Sequence, residues 1–179
     1  MKRSGFDIEG VDLDPERFGD AISRLGLSVV ACDIEREPLP FEDGSFDAVV
    51  FFEIFEHLRI NPISTMRDVH RVLRSGGQLL LSTPNLRSFN GLLNFVLRNK
   101  SYSCTSDVYT QYEKLDTLGH MGHVREYTSR EVVEFLARIG FESTRLIFRG
   151  GYDDAVRRVV TAAAPTLLPF MTVIARRIA

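Results

Sequence analysis

Hydrophobic positions along this chain alternate between short apolar runs and stripes at helical spacing. Residues 8–13 form a short apolar run closed by Asp14-Pro15, which reads as a strand giving way to a helix that Pro15 opens. Phe18, Ile22 and Leu25 continue that helix at the right spacing, with Asp14 as its expected cap. Residues 27–32 (Leu-Ser-Val-Val-Ala-Cys) read as a second strand. Residues 46–52 read as a third, entered through Glu42-Asp43-Gly44-Ser45. A helix is predicted over 63–73, with Met66, Val69, Val72 and Leu73 on one face and Ser75-Gly76-Gly77 as its stop. Residues 78–82 are a fourth strand, closed by Thr83-Pro84-Asn85. Residues 86–118 are mixed and give no clean period. Residues 129–139 are an amphipathic helix striped by Val132, Val133, Leu136 and Ile139 and ended by Gly140. Residues 141–148 and 167–175 are the last two strands.

Strands alternating with helices predict an α/β domain with a mainly parallel sheet covered by helices on both faces. The length of 179 residues suits one domain spanning 1–179, and neither a repeat nor a linker divides it. Hydrophobic content of 44% with 26% charged residues belongs to a soluble globular chain rather than a disordered one. A formal net charge of −2 gives no global pull towards nucleic acid or an anionic membrane. Cys32 and Cys104, far apart in sequence, read as reduced thiols in a cytoplasmic protein, and the residues after Met1-Lys2-Arg3 do not read as a signal peptide. The apolar stretch 159–175 is bracketed by arginine pairs, but it has 17 residues and contains Pro165 and Pro169. A spanning helix needs about 20, so a buried helix-loop-strand is expected there.

Several short segments then follow one another at close intervals. They are Gly10-Val11-Asp12-Leu13-Asp14, Cys32-Asp33-Ile34, the run Leu39 to Val50, and Arg71 to Asn85 with its Ser75-Gly76-Gly77 and Thr83-Pro84-Asn85. In order, spacing and chemistry this series resembles the class I S-adenosylmethionine-dependent methyltransferases, from about residue 10 to residue 140. The resemblance implies a Rossmann-like sheet and S-adenosylmethionine as cofactor. It implies that Asp12, with Leu13 beside it, accepts from the ribose hydroxyls, and that Asp33 and Ile34 meet the adenine. It also places the Phe52 end of the third strand beside the cofactor. A carboxylate at a strand end, aimed into the crevice beyond the sheet, is suited to such a task. Aspartates in these places also serve as turn and cap residues, and phenylalanines as core.

One feature of that family does not appear in this sequence, a first strand followed by a Gly-x-Gly loop that lets the backbone approach the methionine end of the cofactor. The missing strand is central in the family's sheet, so the domain is expected to be incomplete at its N-terminus. Two buried strands with no partner between them would expose hydrophobic edges. Either the strand at 8–13 closes up beside 46–52, or a second chain, such as another copy in a homo-oligomer, covers the gap.

A second constellation follows the third strand. Glu53, Glu56 and His57 stand at i, i+3 and i+4, and on a helix would share one face. Two carboxylates and an imidazole suit a divalent ion such as Mg²⁺, Mn²⁺ or Zn²⁺. Gly119-His120-Met121-Gly122-His123, ahead of Val124 to Thr128, offers His123 as a fourth ligand. The set resembles the Glu-x-x-Glu-His signature with a distant histidine found in ubiquinone-pathway O-methyltransferases and in small-RNA 2′-O-methyltransferases. His57 and His123 are then the candidate catalytic groups, either taking the acceptor's proton or holding the metal that acidifies it. The same triplet also serves as a solvated polar face, and a histidine here also lines acceptor pockets without metal. Arg87, Arg98 and Lys100 are the only basic cluster near this proposed site, so nucleic acid is not the expected partner. Two function classes remain: methyl transfer to oxygen of a small-molecule, lipid or glycan-like acceptor, and a non-catalytic or partner-dependent remnant.

Overall fold

A computed structural model of the chain describes residues 5–105, 107–118 and 122–178. The elements run β1 (Glu9–Asp12), α1 (Gly19–Leu25), β2 (Ser28–Ala31), β3 (Phe46–Phe52), α2 (Pro62–Val72), β4 (Leu73–Pro84), α3 (Phe89–Arg98), α4 (Val108–Leu118), α5 (Ser129–Ile139), β5 (Phe141–Arg149), α6 (Ala155–Ala163) and β6 (Phe170–Arg177). Short 3₁₀ turns occupy Pro15–Phe18, Phe55–His57 and Pro165–Leu167.

Local chemistry explains the clearest helices. Asn61 caps α2 by accepting from the Ile63 and Ser64 amides, and Pro62 sits where its missing N–H costs nothing. The Met66, Val69 and Val72 face is buried. Thr128 and Glu131 form a reciprocal capping box at the start of α5. Gly140 ends that helix with φ 115°, a conformation that needs glycine.

Four strands lie in the order β3-β4-β6-β5. β4 is parallel to β3, while β6 is antiparallel to both β4 and β5. Three strands therefore point one way and β6 alone opposes them, as a mainly parallel α/β sheet requires. The core sits on the two middle strands, where Leu79, Leu81, Met171, Val173 and Ala175 are wholly buried. Val132 and Leu136 of α5 and Met66 and Val69 of α2 pack onto them. Burying a large aliphatic side chain contributes about 1.5–3 kcal/mol, so this layer carries most of the fold's stability. The 159–175 stretch divides as expected into the end of α6, a turn and β6. Among the described residues no helix is long and apolar enough to cross a membrane.

β1 and β2 form a separate two-stranded parallel sheet, with Glu9 opposite Ser28 and Asp12 opposite Ala31. No residue of β1, α1 or β2 is fully buried. The strand at 8–13 does not close onto 46–52. A cleft of about 1580 Å³ lies between them, walled by β1 on one side and by β3 from Phe46 to Phe51 on the other. The exit of β2 is anchored away from β3. Glu35 accepts from the Arg59 and Ile60 amides and pairs with the Arg59 side chain at 3.2 Å. Arg71 donates to the Leu39 and Phe41 carbonyls and to Asp43, tying the following segment to α2. These anchors hold the small sheet off the large one.

Candidate functional site

The cleft gathers Asp12, Leu13, Asp33 and Ile34, the four residues expected along the adenosine half of a cofactor. Asp12 ends β1 and accepts from the Asp14 amide at 2.8 Å, which fixes its carboxylate at the strand's mouth. Asp14 makes no side-chain cap bond to the turn that follows, so its expected capping role is not realised. Asp33 accepts from the Glu35 amide at 3.1 Å and lies 3.7 Å from Arg36, so it shapes the turn after β2 as well as lining the cleft. Thr65 donates to the Ile34 carbonyl at 3.1 Å and seats the turn on α2. Phe52 is 44% exposed and is not among the cleft's lining residues, whereas its neighbour Phe51, 4% exposed, is.

Beyond β3 the chain does not continue as a helix. Glu53 takes a left-handed φ of 54°, and only Phe55–His57 form a single 3₁₀ turn. That kink parts Glu53 from its expected partners. Its carboxylate instead accepts from Ser82 at 2.5 Å and pairs with Arg149 at 2.8 Å. The four-residue metal set is therefore not assembled. Glu56, His57 and His123 do converge, with a potential ligand atom from each lying within 4.8 Å of the others. The His57 and His123 rings meet edge to face at 4.7 Å. His57 also lines the cleft, and its Nδ1 stands 3.1 Å from the Gly122 carbonyl. With Nδ1–H donated there, Nε2 is the nitrogen that takes a proton. Gly119, His120 and Met121 lie outside the described residues.

Glu56 is 1% exposed. Burial pushes its carboxyl up to about 7, against the hydrogen bond that Thr83 donates to Oε2 at 2.9 Å. Its Oε1 is buried without a hydrogen-bond partner. Its main-chain carbonyl accepts from Val124 at 2.9 Å and ties the turn to the segment that carries His123.

Two further residues, Glu126 and Cys104, join this cluster. Glu126, 3% exposed, accepts from the Ser103 amide at 2.6 Å, from the Ser103 hydroxyl, and from Thr105 and Cys104. Burial opposes its charge, yet hydrogen bonds from His123, Ser103 and Cys104 hold its pKa down to about 2. Burial and the Glu126 charge push the Cys104 thiol well above its ordinary range, so it is not a nucleophile in this state. Glu126 stands three residues after His123, a spacing that could have flagged it. Cys104 lies in the stretch whose pattern was unreadable.

The methyltransferase domain family matches residues 1–81. A ubiquinone/menaquinone biosynthesis C-methyltransferase from Geobacter is 28% identical over 151 residues, 77% of this chain and 61% of that protein. A ubiquinone biosynthesis O-methyltransferase from Pseudomonas aeruginosa is 34% identical over 91 residues, 48% of this chain and 38% of its own length. The chain thus spans about six-tenths or less of the length of these curated relatives. Among solved structures, a SAM-dependent methyltransferase from Archaeoglobus fulgidus superposes with a TM-score of 0.65 at 17% identity, covering 98% of this chain and 78% of that one. A Burkholderia thailandensis N1-methyltransferase holding S-adenosylhomocysteine superposes at 0.61 with 17% identity, covering 99% and 64%. By these matches the chain has the Rossmann-like fold of S-adenosylmethionine-dependent methyltransferases and is similar in sequence, over residues 1–81, to their methyltransferase domain family.

Proposed function

We propose that the protein transfers a methyl group from S-adenosylmethionine to an oxygen of a small-molecule, lipid or glycan-like acceptor. The observation that carries this reading is a cleft at the strand ends that holds Asp12 and Asp33 in one wall region and His57 in another. The two carboxylates are suited to the adenosine hydroxyls and amino group, and His57 to the acceptor's proton. Methyl transfer is a displacement at carbon, so its demands are a held sulfonium, an aligned oxygen and a base to take one proton. Nothing in that sequence of events requires a metal. Residues 12–13 and 33–34 bind and orient, while the His57 ring, held by Gly122 and His123, accepts the proton. The ubiquinone-pathway relatives methylate at carbon or at oxygen by name, and a basic histidine beside a hydroxyl favours oxygen.

The same reading includes completion of the cleft. We expect a further strand to lie between β1 and β3, from another copy, a second chain or polypeptide beyond the residues described, and to supply the contacts to the methionine end. The free thiols Cys32 and Cys104 suit a reducing compartment such as the cytoplasm.

Titration with S-adenosylhomocysteine tests the binding half of this reading. Asp12→Ala and Asp33→Ala should each weaken binding about tenfold or more, the loss of one or two hydrogen bonds to a charged group. Asp14→Ala, which removes no cap bond, should leave it within about twofold. Binding that falls with Asp14→Ala and survives Asp12→Ala would place the ribose contact elsewhere. For chemistry, His57→Gln in a form that turns over should lower kcat about 100-fold or more while cofactor affinity holds. Product identification by NMR separates oxygen from carbon as the methylated atom.

A further inference from the structure

The Cys104 sulfur lies 3.3 Å from Glu126 Oε1 and 3.8 Å from His123 Nδ1, and that nitrogen lies 3.6 Å from the same carboxylate oxygen. Zinc bonds sulfur at about 2.3 Å and nitrogen or oxygen at about 2.0–2.2 Å, so the corners of its tetrahedron stand roughly 3.3–3.6 Å apart. The triangle already has those edges to within a few tenths of an ångström. A thiol, an imidazole and a carboxylate also form a donor set of the kind that selects zinc over magnesium or calcium.

A second observation points to a ligand next to His123. Glu56 is buried, and its Oε1 has no hydrogen-bond partner. His123 belongs both to the Cys104 and Glu126 group and to the group in which Glu56 and His57 lie within 4.8 Å. A buried carboxylate oxygen without a partner is costly in a protein interior, and a cation is one of the few things that offsets it.

We propose that Cys104, His123 and Glu126 form a zinc-type site, with the buried Glu56 carboxylate beside His123 as the group that can swing in to complete it. On binding, the Cys104 thiol gives up its proton to solvent and the sulfur–hydrogen bond is replaced by a sulfur–zinc bond. The thiol's hydrogen bond to Glu126 occupies the ion's place until then. The site clamps both ends of the excursion from residue 104 to residue 126, which contains α4, onto the turn that carries His57. The ion thereby positions the cleft wall and stays behind it. The site lies outside the cofactor cleft, because Cys104, His123 and Glu126 are not among the cleft's lining residues.

Cobalt(II) is the probe. Reduced, chelator-treated protein titrated anaerobically with Co²⁺ should take up one equivalent, giving a thiolate-to-cobalt charge-transfer band and the intense visible bands of a tetrahedral ion. Zn²⁺ should displace it. Cys104→Ser should abolish the charge-transfer band, and His123→Ala and Glu56→Gln should each weaken binding tenfold or more. Cys32→Ser should change nothing. Glu126 also holds the turn at 103–105, so its variant can lose the fold, and the unaltered protein's spectrum decides the matter. The proposal is overturned by uptake below one equivalent, by a spectrum without a thiolate band, or by a thiolate band that survives Cys104→Ser. None of these outcomes touches S-adenosylhomocysteine binding, so a failure here is distinguishable from a failure of the methyltransferase reading.

Discussion

Phe55→Ala is expected to cost about 3–5 kcal/mol of stability, the usual penalty for emptying a fully buried aromatic site. Phe55 is 1% exposed and meets Tyr127 at 4.7 Å and Phe135 of α5 at 5.3 Å between ring centroids. Its ring is the anchor of the single turn that presents Glu56 and His57. The loss is a large share of the 5–15 kcal/mol that holds a typical domain together. Urea unfolding should show a much lower midpoint, with Phe55→Leu losing far less because most of the volume remains. An alanine variant within about 1 kcal/mol of the parent would mean that the turn is held from elsewhere.

Amides of β1, α1 and β2 should exchange at least about 100-fold faster than those of β4 and β6 in native-state hydrogen exchange. The first group contains no fully buried residue, while Leu79 and Leu81 of β4 and Met171, Val173 and Ala175 of β6 are wholly buried. With a cleft rather than a strand between β1 and β3, the small sheet opens without disturbing the large core. Filling the cleft with a strand should raise the protection of β1 first. Equal protection across both sheets would contradict the two-part stability that the packing implies.

Much of this fold was legible because burial and period agreed. β3 falls at the residues the apolar run predicted, and α5 spans Ser129–Ile139 and ends at Gly140 as read. The stretch 86–118 was unreadable for a physical reason. It holds α3 and α4, and the apolar residues of α3 do not mark a buried face: Phe95, Val96 and Leu97 are all more than 60% exposed. Of the site, the strand-end carboxylates were legible, since a strand followed by an acid is a local pattern. The turn after β3 was not. A helical face for Glu53, Glu56 and His57 required a regular backbone, and the left-handed φ at Glu53 is set by its pairing with Ser82 and Arg149, a tertiary event. The meeting of Cys104 with Glu126 across 22 residues is likewise a product of the folded chain.

The central claim is that the cleft between β1 and β3 is the adenosine half of an S-adenosylmethionine site, lacking its methionine half in this chain. Nuclear magnetic resonance titration of the chain with S-adenosylmethionine tests it most directly. The account predicts shifts at the amides of Asp12, Leu13, Asp33 and Ile34, with an affinity weaker than micromolar because the hydrogen bonds to the charged methionine end are absent. Micromolar or tighter binding, or shifts confined to residues outside this cleft, would contradict it.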